Sequence, residues 1–204
     1  MKNSFGHVRY GRFLISIFYL LSSGNLLQAQ WVQSGLNGFF VRTITVTGAN
    51  IFVGTSGDGI FRSCDNGISW TSVNSGLTNL NVYAFAVSGT NLFAGTEGDG
   101  VFLSTNNGAS WSSTGTLTNP YVFALTVSGT DVYAGTDGDG VFRSTNNGVS
   151  WISSSSGITN LRILNLTVSG TNLFSGTFGT GGIYRSSNNG SNWSAANNGL
   201  TNYD

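Results

Sequence analysis

Short apolar segments and polar clusters alternate along the chain from about residue 40 onward. The apolar segments are rich in Val, Phe, Tyr and Leu, and the clusters between them consist of Gly, Asn, Ser and Thr. This composition predicts short strands joined by tight turns. In one representative stretch the four strand-like segments begin at Asn81, Asn91, Gly100 and Ser110. No part of this region has the period of an amphipathic helix, so the pattern predicts an all-β protein.

The pattern repeats along the chain, and tryptophan marks the period. Trp70, Trp111, Trp151 and Trp193 are separated by 41, 40 and 42 residues, and Trp31 lies 39 residues before the first of them. Each copy holds four predicted strands, which we name A, B, C and D in chain order. Strand A is apolar at both alternating sets of positions, so both faces of its sheet must be covered. The neighbouring copies are the expected cover.

Four-stranded antiparallel sheets that stack face to face around an axis form a β-propeller. The sequence therefore predicts a propeller domain over residues 30–204, with four complete blades and an extra outer strand at 30–36. The last copy runs on past its tryptophan as the first copy does, so we expect the four blades to be a fragment of a larger propeller. The predicted blade limits are 39–74, 80–115, 120–155 and 161–197.

A segment of eight residues between strands C and D, which we call the octet, is the most regular part of each copy. It reads SCDNGISW, STNNGASW, STNNGVSW and SSNNGSNW in the four copies. The octet resembles the Asp-box, or BNR repeat, of sialidases and of many other secreted propellers. The matching positions are Ser63, Asp65, Gly67, Trp70, Ser104, Asn106, Gly108, Trp111, Ser144, Asn146, Gly148, Trp151, Ser186, Asn188, Gly190 and Trp193.

We expect the octet to have a structural role. Its third residue can bond the backbone N–H two residues on, its Gly can adopt a positive φ, and its Trp can cover the hairpin or the next blade. The resembled family prefers Asp at the third position, which only Asp65 provides. A catalytic acid or a metal ligand would not be replaced by Asn in the other copies. Cys64, the only cysteine, is interpreted as a small turn residue.

Arginine precedes three of the four octets, at Arg62, Arg143 and Arg185. The resemblance to sialidases raises the alternative of an arginine clamp, because that family binds a substrate carboxylate with three arginines. In the same family, however, the Asp-boxes lie on the side away from the active site. We therefore expect these three guanidinium groups to pack along their sheets and to bond the turns.

A ligand site is predicted on the face opposite the octets, where the D–A and B–C connectors lie near the start of strand A. The copies differ most there, as a binding surface requires. Aromatic side chains on this face can stack on sugar rings, or they can simply pack at the axis. The candidate ligand-binding residues are Arg42, Asp58, Tyr83, Asp99, Tyr121, Phe123, Asp139 and Arg162.

Two of the B–C turns each carry a pair of carboxylates. Glu97 with Asp99, and Asp137 with Asp139, could hold Ca²⁺ together with backbone carbonyls. The alternative is that Asp-Gly simply favours a tight hairpin turn. We predict no bound metal and no cofactor, and we keep Ca²⁺ as the one ion that these turns would suit.

The charge of the chain excludes one class of partner. Only 8% of the residues are charged, and eight Lys and Arg balance eight Asp and Glu. Without residues 1–29, five arginines face the eight acids, with none of the clustered basic surface that nucleic acid requires. A single cysteine allows no internal disulfide. Aromatic residues, at 13%, supply the buried surface that a folded domain needs.

Residues 1–29 have the features of a bacterial signal peptide. Lys2, Arg9 and Arg12 precede a short apolar run at 13–21, and the segment ends with Ala29. The run is shorter than the roughly 20 residues that a membrane-spanning helix needs. We therefore expect an exported protein, secreted or on the cell surface, with no membrane span after cleavage.

These features favour a non-catalytic binding or adhesion propeller whose ligand is a glycan or a protein. The alternatives are a fragment of a sialidase-like glycoside hydrolase and a structural spacer in a larger exported protein. For a sialidase, the resemblance implies a Tyr nucleophile with a Glu partner, an acidic Asp and three arginines. Glu97 is the only glutamate, and Pro120, the only proline, is not part of an Arg-Ile-Pro motif of the sialidase kind. We therefore predict no catalytic residue.

Overall fold

The computed structural model describes residues 35–201. The predicted signal peptide at 1–29 and most of the predicted extra strand at 30–36 lie outside these residues. The described part contains sixteen strands and a 3₁₀ turn at Gly179–Gly181. The strands of the first two sheets are β1 (Val41–Thr47), β2 (Asn50–Thr55), β3 (Ile60–Ser63), β4 (Thr71–Ser72), β5 (Val82–Ser88), β6 (Asn91–Thr96), β7 (Val101–Ser104) and β8 (Ser112–Ser113). Those of the last two are β9 (Val122–Ser128), β10 (Asp131–Thr136), β11 (Val141–Ser144), β12 (Ile152–Ser153), β13 (Ile163–Ser169), β14 (Asn172–Thr177), β15 (Ile183–Ser186) and β16 (Ser194–Ala195).

Each sheet is an antiparallel meander, because its four strands lie side by side in chain order. Tight turns join the first two strands, as where Ser88 pairs with Asn91 between β5 and β6. Every sheet lies within the limits predicted for its blade. The prediction of an all-β fold built from four-stranded antiparallel blades is confirmed. No helix in the described part is long and apolar enough to cross a membrane.

Apolar cores fill the three spaces between successive blades. The first core joins Phe52 and Ile60 of the first blade to Leu92 and Phe102 of the second. Equivalent cores lie between the second and third blades and between the third and fourth. The innermost strands also contact one another in sequence, β1 with β5, β5 with β9, and β9 with β13. Neighbouring blades therefore supply the cover that the doubly apolar strand A requires.

The octets form turns that side-chain hydrogen bonds hold. In the second copy, Ser104 Oγ accepts the N–H of Gly108 at 2.9 Å and donates to Asn106 Oδ1. Asn106 Oδ1 also accepts the N–H of Ser110, at 3.0 Å. The third octet residue therefore bonds an N–H four residues on, in all four copies, and the predicted bond over two residues is wrong. The reason is that the first serine of the octet accepts the N–H that lies two residues after the third position, as Ser104 Oγ does from Gly108.

The tryptophans of the last three octets bond the preceding blade. Trp111 Nε1 donates to Val73 O of the first blade at 2.8 Å, and Trp193 Nε1 donates to Ser154 O of the third blade at 2.7 Å. Both indole rings are buried. The octet sequence predicts that the ring covers the hairpin or the next blade, but these two bonds are made to the preceding blade instead. Because each ring bridges two sheets, the octet contributes to the contact between blades as well as to the turn.

One of the three arginines that precede octets bonds an octet turn, and that turn belongs to the next blade rather than to its own. Arg62 Nη1 donates to Asn107 O in the next octet at 3.0 Å. Arg143 forms an ion pair with Asp131, at 2.5 Å, at the start of β10 in its own blade. Arg185 is exposed. These contacts give Arg62 and Arg143 structural roles and leave no arginine clamp at the octets.

Candidate ligand-binding site

The D–A and B–C connectors lie on one face, opposite the octets. In the second blade, the N–H groups of Gly98 and Gly100 in the B–C turn both donate to Pro120 O in the following connector, at 3.2 and 2.9 Å. The first and third blades repeat this pair of bonds, with Leu80 O and Leu161 O as acceptors. These bonds hold the B–C and D–A connectors side by side on one face, and they fix the position at which the next innermost strand begins.

The strand pairing is irregular at the second residue of every innermost strand. The register between β5 and β6 shifts between Val82 and Ala84, which makes Tyr83 the extra residue of a β-bulge. The same shift places Arg42, Phe123 and Leu164 in bulges of the other three innermost strands. A bulge changes the direction in which its extra side chain points. Here the four extra side chains all line one cavity.

This cavity, which we call the axial cavity, lies among the innermost strands of all four blades and has a volume of about 460 Å³. Ligand pockets in proteins typically have volumes of roughly 300 to 1,000 Å³. Apart from the Tyr83 hydroxyl, the polar side chains of the lining come from the first and fourth blades. The lining residues are Arg42, Thr43, Tyr83, Ala84, Phe85, Phe123, Ala124, Leu125, Leu164, Asn165 and Leu166.

Three of the predicted candidates form a row along the axial cavity. The guanidinium carbon of Arg42 lies 5.0 Å from the centre of the Tyr83 ring. The Tyr83 and Phe123 rings are tilted by 42°, with centres 5.0 Å apart. The Tyr83 hydroxyl also bonds Glu97 Oε2 at 3.2 Å. The row thus presents a cation, a phenol and a phenyl ring from three successive blades.

The charge at this site comes from Arg42, which is exposed. No described residue forms an ion pair with it. Burial raises the pKa of Tyr83, and although the Arg42 charge opposes this shift, Glu97 adds to it. The phenol is therefore neutral at physiological pH, and it donates its one O–H to Glu97 Oε2. The site offers an unpaired guanidinium beside two aromatic faces.

The candidate aspartates of the B–C turns are absent from the lining of the axial cavity. Thr78 Oγ1 donates to Asp99 Oδ2 at 2.5 Å, and Thr118 Oγ1 donates to Asp139 Oδ2 at 2.7 Å. Asp58 has the same position in the first blade. In the part of the chain that the structure describes, no three His, Cys, Asp or Glu side chains form a group that could hold a metal ion.

Tyr121 and Arg162 likewise do not line the axial cavity. The side chain of Tyr121 is 46% exposed, and its backbone forms a β-bridge with Glu97. Arg162 forms an ion pair with Asp137 at 2.5 Å and lies 4.2 Å from the centre of the Phe178 ring. The structure thus brings three of the eight candidates together and places the other five in the surrounding connectors.

Thr43 and Asn165 were not indicated by the sequence, although both line the axial cavity. They follow the bulge residue in the first and fourth blades, where the middle blades carry Ala84 and Ala124. The available signal was this replacement of alanine by a polar residue at the two ends of the repeat. Both side chains add hydrogen-bonding groups to a lining whose other polar groups are the Arg42 guanidinium and the Tyr83 hydroxyl.

No protein-family profile and no curated protein matches the chain. Solved structures do match it. An ancestral GH74 enzyme is 24% identical, over 79% of this chain and 25% of its own, with a TM-score of 0.64. The extracellular domain of a one-component system from B. thetaiotaomicron is 16% identical, over 79% and 22%, with a TM-score of 0.64. YCF48 bound to D1 peptide is 12% identical, over 79% and 54%, with a TM-score of 0.65.

These similarities and the four meander sheets define the class of protein: the described chain folds as blades of a β-propeller. It spans about a quarter of the length of the GH74 enzyme and about half that of YCF48. The three proteins have different functions, and each is less than 25% identical to this chain. The similarity therefore shows the fold alone, because propellers with one architecture serve many functions.

Proposed function

We propose that this protein is a non-catalytic binding propeller whose ligand, a glycan or a protein segment, occupies the axial cavity. The observation that supports the proposal is the row of Arg42, Tyr83 and Phe123, with both spacings at 5.0 Å. Aromatic faces bind the apolar faces of sugar rings or of other aromatic groups. The guanidinium adds a fork of donors for carboxylate or hydroxyl groups.

The proposal includes export to the cell surface or the medium, and it includes the assignment of the octets as Asp-boxes. The structural role of every octet supports the second point. In each copy the serine and the third residue hold the turn, as in Ser63 with Asp65 and Ser186 with Asn188. The octets lie at the opposite end of the blades from the bulges that line the axial cavity. A ligand in this cavity would therefore not contact the octets.

A glycoside hydrolase fragment is the competing function. Most glycosidases use two carboxylates that flank the scissile bond. The residues that line the axial cavity include no carboxylate. Tyr83 and Glu97 are bonded as the sialidase resemblance would require, but that resemblance also implies an acidic Asp and three arginines, and the lining includes no Asp and one arginine, Arg42. We expect a fluorogenic sialoside to remain unhydrolysed. Turnover that Glu97→Ala abolishes would overturn the non-catalytic part of the proposal.

Glycan and peptide arrays probed with the purified protein test the binding itself. We expect specific hits whose apparent affinity falls at least about tenfold in Tyr83→Ala and in Arg42→Ala. Tyr121→Ala is the matched control, because this tyrosine is 46% exposed and lies outside the axial cavity. An array without hits would favour a structural spacer. Hits that Tyr121→Ala weakens as much as Tyr83→Ala would place the ligand elsewhere.

A further inference from the structure

A second cavity lies between the third and fourth blades, on the side of the blades that carries the octets. Its volume is about 450 Å³, close to that of the axial cavity. One wall is the third blade, with Arg143 on β11 and the segment 152–156. The other wall is Gly190 and Ser191 of the fourth octet. We call it the seam cavity, and none of its lining residues also lines the axial cavity.

A tyrosine replaces arginine as the partner of the neighbouring octet at this seam. Between the first and second blades, Arg62 Nη1 donates to Asn107 O in the next octet, at 3.0 Å. Between the third and fourth blades, the equivalent carbonyl, Asn189 O, accepts the Tyr133 hydroxyl at 3.1 Å. The first blade has phenylalanine in the position of this tyrosine, and a phenyl ring cannot donate that bond. Arg143, the equivalent of Arg62, therefore does not bond the neighbouring blade.

The guanidinium of Arg143 is instead held within its own blade by an ion pair. Its Nε and Nη2 both donate to Asp131 Oδ2, at 2.9 and 2.5 Å. The other three blades have asparagine in the position of Asp131, so this pair occurs in one blade only. Nη1 of Arg143 forms no hydrogen bond with a described residue. The pair thus has no net charge, but it leaves two N–H donors for a ligand.

Serine hydroxyls supply the other polar groups of the seam cavity. Two of its five serines, at 154 and 155, bond backbone carbonyls of the protein. The other three are exposed, and their hydroxyls bond no described residue; they are Ser153, Ser156 and Ser191. Ile152, which is 61% exposed, adds an apolar surface beside them. The lining contains no acidic side chain.

The equivalent cavity between the second and third blades lacks these polar groups. Its volume is about 380 Å³, and Leu103 has the position of Arg143. Val149 of the third octet has the position of Ser191 and is 73% exposed. The repeat therefore builds the space at both seams, whereas the guanidinium is a property of one of them.

We infer that the seam cavity binds a neutral saccharide, at a site separate from the axial cavity. Nη1 of Arg143 donates to a sugar hydroxyl, and the three exposed serine hydroxyls donate to other ring substituents or accept from them. Ile152 packs on the C–H groups of the ring. Because Asp131 cancels the charge of the guanidinium, a carboxylate on the sugar gains nothing here. The volume lies within the roughly 300 to 1,000 Å³ of ligand pockets.

Titration of the isotope-labelled protein with the methyl glycosides of glucose, galactose and mannose, followed by NMR, tests this inference. We expect at least one of these sugars to shift the signals of the Ser191 amide and of the Arg143 Nε–H until they saturate. The amide of Tyr83 reports on the axial cavity, so the two sites are observed separately.

Two double variants take their residues from other blades of the same chain. Asp131→Asn with Arg143→Leu gives the third blade the pair that the second blade has, so it should fold and raise the Kd at least about tenfold. Asp131→Asn with Tyr133→Phe gives it the residues of the first blade. The guanidinium should then bond Asn189 O, as Arg62 bonds the second octet, and the Kd should rise although Tyr133 does not line the cavity. The unfolding midpoint of each variant is the folding control.

Three results would count against the seam site. The first is that none of the three glycosides shifts the Ser191 signal at its highest soluble concentration, or that the Kd is unchanged in a folded Asp131→Asn, Arg143→Leu protein. The second is that the shifts are confined to Tyr83 and its neighbours, which would place the sugar in the axial cavity instead. The third is tighter binding of methyl glucuronide than of methyl glucoside, which would contradict a neutral ligand.

Discussion

Asp and Asn serve equally at the third position of the octet because the turn uses an oxygen acceptor there. Asp65 Oδ1 accepts the N–H of Ser69 at 2.9 Å, and Asn106 Oδ1 accepts the N–H of Ser110 at 3.0 Å. The second polar atom of the Asp or Asn side chain bonds a serine hydroxyl in both copies, but the direction of that hydrogen bond is reversed. Asp65 Oδ2 accepts the Ser69 hydroxyl, and Asn106 Nδ2 donates to the hydroxyl of Ser110. One side-chain hydroxyl thus accommodates either residue.

The first octet should be sensitive to acid, and the other three should not. The side-chain and backbone bonds from Ser69 lower the pKa of Asp65 from 3.8 to about 2. Because the folded-state pKa is the lower one, the contribution of Asp65 is complete above about pH 4 and is lost as the pH falls to about 2. Asp65→Asn should remove this loss. Unfolding midpoints measured from pH 7 to pH 2 should converge or cross on acidification, and parallel curves would contradict the prediction.

The octet serine should matter more than the serine at its seventh position. Ser104 is buried, and its Oγ is the acceptor for the N–H of Gly108. Ser104→Ala leaves that buried N–H without its partner, which costs about 1 to 3 kcal/mol. Ser110→Ala is the control, because Ser110 is exposed and its N–H bond to Asn106 remains. Denaturant unfolding of both variants gives the comparison, and equal losses would refute the assignment.

The residue types of the octet were sufficient to predict the backbone conformation of the turn, but they did not predict its hydrogen-bond partners. The positive φ of Gly67 and Gly108, 84° and 76°, follows from the repeated glycine. The residue before each glycine is also left-handed, as in Asn66 and Asn107, and it is asparagine in every copy. An asparagine at this position in every copy could have been used to predict a left-handed residue there. The competition between serine and the third residue for one N–H depends on distances that the sequence does not contain.

At the scale of the strand, the β-bulge explains why only part of the candidate site was predicted. The sequence indicated that Tyr83 and Phe123 vary between copies near the axis. It did not distinguish them from Tyr121, which lies two residues before Phe123. The bulge directs Phe123 into the cavity, whereas Tyr121 pairs with Glu97 in the connector. Because a bulge arises from the pairing of two strands, a single strand's sequence does not specify it.

Strand D contributes to stability mainly through the tryptophan that precedes it. Trp193 is 3% exposed, and its Nε1 donates to Ser154 O at 2.7 Å. Trp193→Phe should lower the free energy of unfolding by about 1 to 3 kcal/mol, because a buried carbonyl loses its donor. Trp151→Phe should cost less, since Trp151 is partly exposed and its bond to Thr114 Oγ1 is 3.4 Å long. Unfolding curves would contradict this if Trp151→Phe had the larger effect.

At the scale of the whole molecule, the period of the repeat predicted the blades, and glycines on the second strands show how the blades fit. A Cβ added at Gly95 would lie 2.7 Å from Val122 Cγ1, and one at Gly135 would lie 2.5 Å from Ile163 Cγ2, so each glycine makes room for the next blade. The tryptophan spacing and the doubly apolar strand A were sufficient for the architecture. Gly95 and Gly135 are as regular in the sequence as the tryptophans, yet their role depends on Val122 and Ile163, about thirty residues further on. Contact between blades is a property of two copies, so no single copy reveals it.

The middle blades should be the most stable part of the monomer. In a repeat array each unit is stabilised by its neighbours, and the second and third blades have a neighbour on both sides. No residue of β1 is buried, whereas β5 has three buried residues. Amide hydrogen exchange of the protein should therefore be at least about tenfold slower in β5 and β9 than in β1.

One outcome would contradict this prediction. Uniform exchange across all four blades would mean that the blades unfold as one unit, and it would remove the argument that contact with neighbours determines the stability of each blade.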